Sequence, residues 1–327
     1  MQLRTDSCEQ IPGRAQPCFS GQSIRGRTVG PIWRSGLATL FCAAGMVAAC
    51  ATASMALPPD ASTTLERHVG KIVYLELVTP DLAAAKHFYT QLFGWTYRDV
   101  EGAGPAFTQA YVDDRPVAGL VQRAVPTGEH PQPAWLSFIA TADIDATTAT
   151  ARQLGAKVLL APRAVAQRGR EAVLADPQGA VFALQASTHG DPPDELVAPG
   201  EWIWSSLITG DPDTAAGFYQ SLFNYEVFDL PAQSTGRHLV LASDGFARAS
   251  ANSLPRNKPG MHAHWLGFIR VTNAVQMAAK VVALGGQVLV QPRPDRHGGK
   301  LAVVADPMGA PFGLMEWPDD ASKELSQ

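Results

Sequence analysis

The chain has 327 residues, 46% hydrophobic and 17% charged, with 26 Lys and Arg against 30 Asp and Glu for a formal net charge of −4. That is a globular balance long enough for two compact domains, and without a basic block it excludes an electrostatic footprint for nucleic acid. All four cysteines, Cys8, Cys18, Cys42 and Cys50, fall in the first fifty residues, so a disulfide framework, a cysteine-bound zinc and a catalytic thiol are excluded downstream.

Residues 1–49 read as an export signal. Arg25, Arg27 and Arg34 precede an uncharged stretch from Ser35 to Pro59, whose apolar part runs from Leu37 to Val47. A basic flank, a short apolar run and small residues are the parts of a secretory leader. The run has too few strongly apolar residues for the ~20 that a membrane span needs. Val47-Ala48-Ala49-Cys50 resembles the lipobox of bacterial lipoproteins. That resemblance implies cleavage before Cys50, lipid attachment there, and an exported protein held at the cell envelope by the anchor. An ordinary signal cut nearby, or an uncleaved anchor, is the alternative. Residues 1–30 are long for the basic region of a leader, and translation is expected to start nearer Val29. Residues 50–67 show no helical or strand period and read as a tether.

The first domain is expected over 68–188. It opens with a strand over 72–78, a turn at Thr79-Pro80-Asp81, and a helix over 82–93 capped by Asp81. In that helix Ala85, Phe88, Tyr89 and Leu92 recur at i, i+3, i+4 and i+7. Short strands follow near 95–100, 107–113 and 117–123. The same order then repeats: strand 135–141, helix 143–154, and strands near 157–162, 171–175 and 180–186. Gly155 and Gly285 stand where a helix ends in a left-handed residue. A turn-rich linker over 189–199 leads to a second domain over 200–318 and a tail over 319–327.

The second domain copies the first. Phe88-Tyr89 returns as Phe218-Tyr219, Leu92-Phe93 as Leu222-Phe223, and Trp135-Leu136 as Trp265-Leu266. Leu154-Gly155 returns as Leu284-Gly285, Pro162-Arg163 as Pro292-Arg293, and Asp176-Pro177 with Gly179 as Asp306-Pro307 with Gly309. Each pair keeps one offset, 218 − 88 = 130. One register over six separated motifs is a tandem duplication. The fold class expected is α+β: four strand–helix–strand–strand–strand units paired into two half-open β-barrel domains.

These motifs are similar to those of the vicinal oxygen chelate superfamily, the glyoxalase, bleomycin-resistance and extradiol dioxygenase group. The likeness rests on Glu76-Leu-Val-Thr-Pro-Asp81 with Phe88-Tyr89 and Leu92-Phe-Gly-Trp95, and on their second copies. It rests too on Asp176-Pro-Gln-Gly179 and Asp306-Pro-Met-Gly309. It covers 70–317, and its motifs are caps, packing positions and turns, so it identifies the scaffold and leaves the chemistry open. The resemblance implies metal ligands on the first and last strands of the units. Here those slots hold Tyr74, Trp204, Leu136, Leu266, Ala183 and Gly313, none of which supplies an imidazole nitrogen or a carboxylate.

Strand alternation puts Val73, Leu75 and Leu77 on the helix side, and Tyr74 and Glu76 on the cavity side. Glu76 is the candidate catalytic acid or base if the cavity raises its pKa. A carboxylate engaged by a neighbouring strand is the competing account. The second copy has Trp204 and Ser206 there, so the two cavities are chemically different. Tyr74 and Trp204 are candidate stacking surfaces, with Ser206 beside them. His262 and His264, two apart, are a weaker metal-binding candidate; a loop rim, where histidines are commonly just exposed, is the favoured account. Arg170 and Lys300 are equivalent positions with an anion-binding option, and His130, His238 and His297 have no recurring context.

The function expected is binding of a small, partly apolar or aromatic molecule, with no cofactor and without a metal. Bleomycin-resistance-like members of the family imply that the scaffold works by binding alone. The alternatives are a metal-dependent lyase or isomerase, or a ring-cleaving dioxygenase with an unconventional site, and an envelope interaction protein with vestigial clefts. Oligomeric state is left open by the sequence.

Overall fold

A computed structural model describes residues 66–100, 106–124, 133–165, 168–230, 236–255, 260–296 and 298–318. The expected leader, Cys50, most of the tether, the tail, His130 and His297 lie outside the described residues. The first half contains β1 (Ile72–Thr79), α1 (Leu82–Phe93), β2 (Thr96–Val100), β3 (Phe107–Val112), β4 (Arg115–Gln122), β5 (Ala134–Ala140), α2 (Ile144–Gln153), β6 (Lys157–Val165), β7 (Gly169–Ala175) and β8 (Val181–Ala186). The second contains β9 (Trp202–Thr209), α3 (Pro212–Phe223), β10 (Glu226–Asp229), β11 (His238–Ser243), β12 (Phe246–Ser253), β13 (His264–Val271), α4 (Ala274–Ala283), β14 (Gln287–Pro294), β15 (Lys300–Ala305) and β16 (Pro311–Glu316). Among the described residues no helix is long and apolar enough to cross a membrane.

Two eight-stranded sheets result, β2-β3-β4-β1-β5-β8-β7-β6 and β10-β11-β12-β9-β13-β16-β15-β14. Each unit's first strand runs parallel to its last, β1 to β4 and β5 to β8, because a helix carries the chain back across the sheet. The cap expected at Asp81 is present, and Asp211 and Asn273 cap two further helices. Asp81 accepts from the Ala84 backbone N–H at 2.9 Å, Asp211 from Thr214 at 3.1 Å and Asn273 from Gln276 at 2.9 Å. Gly155 and Gly285 take positive φ, 95° and 86°, just past the ends of α2 and α4.

The repeated motifs are the contacts between the two halves. The apolar face of α1 packs with Ala278, Val281, Phe312 and Leu314 of the fourth unit. The second unit's Ile144, Ala151 and Phe182 pack with Phe218, Tyr219 and Phe223 of α3. At the centre of each core the tyrosine of Phe-Tyr crosses to the aspartate of Asp-Pro-x-Gly in the other half. Tyr89 donates to Asp306 Oδ2 at 3.2 Å and accepts from Trp135 Nε1 at 3.2 Å. Tyr219 donates to Asp176 Oδ2 at 3.1 Å and accepts from Trp265 Nε1 at 2.9 Å. Burial pushes both aspartates above their ordinary range despite the backbone N–H groups they accept from. Trp95 donates to the Gly200 carbonyl at 2.9 Å, and Tyr225, 130 residues further on, donates to the Gly70 carbonyl. The duplication is therefore built into the packing as a two-fold exchange.

The linker closes the exchange. Asp194 accepts from Lys71 of the first half at 2.7 Å and from Arg248 of the second at 2.5 Å. Burial would raise the Asp194 pKa, but these two cations outweigh it and hold the carboxyl below the ordinary aspartate range.

Candidate functional site

In each sheet the face turned away from the helices is the one expected to carry chemistry, and the two faces differ. In the first, a register shift between Ile72 and Tyr74 breaks the alternation. Ile72, rather than Val73, therefore packs on the helix-side cores, and Val73 joins Tyr74, Leu136, Phe138 and Val173 on the other face. The expectation that Val73 belongs to the helix side is corrected by this bulge. Leu75 and Leu77 are on the helix side as expected.

Tyr74 and Glu76 do share the cavity face, but the space before them is filled from within the chain. Arg168, in the turn between β6 and β7, is 2% exposed and Glu76 is 3% exposed. Arg168 Nη1 donates to Glu76 Oε2 at 3.1 Å, and its Nε lies 2.7 Å from Glu171 Oε1. Its guanidinium sits 4.6 Å from the Tyr74 ring centroid and 4.9 Å from that of Phe138. Burial raises the Glu76 pKa and Arg168 pulls it partly back; Glu171 follows the same pattern. Burial likewise pushes the Tyr74 phenol up, and its hydroxyl donates to Gln109 Oε1 at 2.9 Å. Glu76 is thus a carboxylate locked in a buried cluster rather than one standing in a partly open cleft.

A groove of about 2070 Å3 lies mostly on the second face and reaches Leu136, Val173 and Val181 of the first half. Its floor is apolar, from Leu266, Phe268 and Met315, and half-buried Trp204 stands beside it, stacked on Trp317 with ring centroids 6.1 Å apart. A polar track runs along one wall. Trp204 Nε1 donates to Ser250 Oγ at 3.1 Å, Ser206 Oγ lies 2.8 Å from the same atom, and Asn252 Nδ2 donates to it at 3.0 Å. The Asn252 Oδ1 atom is hydrogen-bonded to His238 Nδ1. The structure brings Trp204 and Ser206 together as expected, and adds Ser250, Asn252 and His238.

Register explains why His238 has no recurring context and why Ser250 and Asn252 match nothing at the offset of 130. Glu76 pairs with Gly119 and Ser206 with Ser250, so the offset is 206 − 76 = 130 on one strand and 250 − 119 = 131 on the other. One residue is gained before β11 and given back before β13. With that shift, His238, Asn252 and Ser250 correspond to Phe107, Val121 and Gly119 of the first half. A side chain at Gly119 would collide with the Tyr74 hydroxyl, 2.3 Å from an added Cβ. One copy of the wall is apolar and tightly filled, and the other is polar. The legible signal is Ser250 and Asn252 at i and i+2, alternating with Ala249 and Ala251.

His262 is exposed and His264 half-buried at the groove's rim, and His264 Nδ1 donates to the His262 carbonyl at 2.8 Å. Among the described residues no group of three or more His, Cys, Asp or Glu side chains could hold a metal ion. Arg170 forms an exposed ion pair with Asp145.

Family models match both halves: the Glyoxalase/Bleomycin resistance protein/Dioxygenase superfamily over 71–184, and a Glyoxalase-like domain over 205–315. The chain belongs to this superfamily. It is 30% identical over 245 residues to the "Putative glyoxylase CFP32" of Mycobacterium tuberculosis, covering 74% of this chain and 93% of that one. It is 31% identical over 262 residues to the Streptomyces "Anthracycline biosynthesis protein DauV", covering 76% and 93%. Among solved structures, the fold resembles the 2,3-dioxygenase LapB of Pseudomonas sp. KL28 (TM-score 0.54, 12% identity, 77% of this chain and 93% of that one). It also resembles a Mn(II)-bound glyoxalase of Novosphingobium aromaticivorans (TM-score 0.53, 16% identity, 78% and 85%).

The superfamily's usual donor slots do not fit a divalent metal here. Leu136 and Leu266 pair across the sheets with Glu76 and Ser206, and Ala183 and Gly313 with Phe138 and Phe268. The Phe268 ring fills the space a side chain at 313 would need, 1.9 Å from an added Cβ. Of these slots Ala183 and Gly313 are closed by packing, and Leu136 and Leu266 present only carbon to the groove.

Proposed function

We propose that the protein is a glyoxalase-like binding module whose second domain holds a small planar, partly apolar molecule against Trp204, without a metal. The first domain supports it. The observation that carries this reading is the asymmetry of the two faces: Arg168 packs over Tyr74 and Glu76 on one, while most of an apolar groove with an aromatic wall and a line of polar groups lies on the other. Such a pairing orients a flat ligand by shape and a few directed hydrogen bonds. A relative named for anthracycline biosynthesis supports a polycyclic aromatic ligand class. The same reading places the protein at the cell envelope through a lipid on Cys50; changing Cys50 to Ser is expected to release it to the soluble fraction.

The test is titration of the soluble part, without residues 1–50, against polycyclic aromatic compounds including an anthracycline. Binding is expected to quench tryptophan fluorescence, to weaken at least tenfold in Trp204→Ala, and to add ~2.7 kcal/mol of apparent stability at 100 times Kd. Metal analysis accompanies it. Stoichiometric metal required for binding overturns the metal-free reading in favour of a lyase, isomerase or dioxygenase, and no response to any compound favours an interaction protein.

A further inference from the structure

The polar track in the second groove has a direction, and the direction assigns its end. Ser250 Oγ is approached by three groups: Trp204 Nε1, Asn252 Nδ2 and Ser206 Oγ. The indole and the amide nitrogen have only protons to offer, and a serine oxygen has two acceptor positions and one proton. With both acceptor positions taken, Ser250 must give its own proton to Ser206. Upstream, Asn252 uses its nitrogen toward Ser250, so its oxygen accepts from His238 Nδ1. Every bond then points the same way: His238 to Asn252, Asn252 to Ser250, Ser250 to Ser206.

Ser206 accepts at the end of this chain, and its own proton has no acceptor among the described residues. The residue is 5% exposed and lines the groove beside the half-buried face of Trp204. A buried hydroxyl proton without an acceptor is costly unless something supplies one, and hydrogen bonds in series polarise one another, so the last donor is strengthened. We infer that Ser206 is the specificity-determining donor of the groove, and that it selects a planar ligand carrying a carbonyl oxygen at its edge. The ring lies against Trp204 and the oxygen accepts from Ser206. Ser250, Asn252 and His238 are positioning residues that aim this proton. The first half cannot do the same, since Glu76, Gly119, Val121 and Phe107 stand at the corresponding places. The inference rests on the reading of the groove as a binding site.

The experiment compares 9-fluorenone with fluorene, two flat molecules of nearly one shape that differ in the carbonyl. Affinities come from tryptophan quenching, and the carbonyl stretch of bound fluorenone from infrared difference spectra. Fluorenone is expected to bind about five- to tenfold more tightly, as one hydrogen bond allows, with its stretch moved to lower wavenumber. In Ser206→Ala the preference is expected to fall to about one and the shift to vanish; Ser206→Thr restores both. Asn252→Ala is expected to reduce the preference without abolishing fluorene binding. Equal affinities, or an unshifted stretch in the unaltered protein, overturn the inference and leave the binding site standing. Failure of both compounds to bind overturns the reading of the groove itself.

Discussion

Arg168 lies over the first concave face, where it engages the carboxylates of Glu76 and Glu171 and the rings of Tyr74 and Phe138. A charge this deeply buried is tolerated because Glu76 and Glu171 face it and the Tyr74 and Phe138 rings flank it. Removing one partner leaves the others uncompensated. Arg168→Met is therefore expected to cost about 3–5 kcal/mol in chemical denaturation. Adding Glu76→Gln and Glu171→Gln to it is expected to recover part of that loss, because the two carboxylates that faced Arg168 are then neutral, while Arg163 and Arg123 still act on the cluster. A Glu76→Gln variant that keeps its ligand affinity fits this account; one that folds normally and loses only activity contradicts it. Glu76 was legible as an unusual carboxylate on the cavity face, from alternation alone. Its partner was not: Arg168 lies 92 residues away in a turn, where no periodicity marks a side chain as inward.

At the scale of the elements, the conserved spacing of 130 between motifs has its cause in the exchanged Tyr–Asp–Trp contacts. The strands, helices and caps were readable because each is a local pattern of two, three or four residues. What joined them was not, because the partners of Tyr89 and Tyr219 lie 217 and 43 residues away and no local pattern names them. Tyr89→Phe and Tyr219→Phe remove one hydroxyl that serves both a buried indole N–H and a buried carboxylate. Each is expected to cost ~1–3 kcal/mol, and the two losses should be similar because the surroundings are copies. Urea denaturation of both variants checks this; a loss in one only would mean that the two exchanges are not equivalent. The 131 offset across β11 and β12 shows the limit of reading repeats by one number. A single inserted residue moved His238, Ser250 and Asn252 out of the comparison while leaving every quoted motif in place.

Across the whole molecule, the linker and the cores decide whether the two halves are separable. Asp194 ties Lys71 to Arg248, and its carboxyl is held below the ordinary aspartate value of 3.8. A group whose folded pKa is depressed contributes stability above its unfolded pKa and loses it as the pH falls through the folded value. Asp194→Asn is thus expected to be less stable than the parent at neutral pH, with the gap closing below about pH 4 as the parent's carboxyl protonates; thermal melts over pH 2–7 measure this, and a gap independent of pH would remove Asp194 from the account. The cores go further. The face of α1 with Phe88, Tyr89 and Leu92 packs on its own sheet and on the fourth unit, and that of α3 on its own sheet and on the second unit, so each half completes the cover over a helix of the other. Calorimetry of residues 66–318 is expected to show one transition with equal calorimetric and van't Hoff enthalpies. Residues 68–188 alone would expose Phe88, Tyr89 and Trp135 together, a patch that soluble monomers rarely tolerate, and are expected to self-associate or fail to fold. Two resolved transitions in the whole chain, or a stable monomeric first half, would mean that the exchanged cores are not what holds the duplication together.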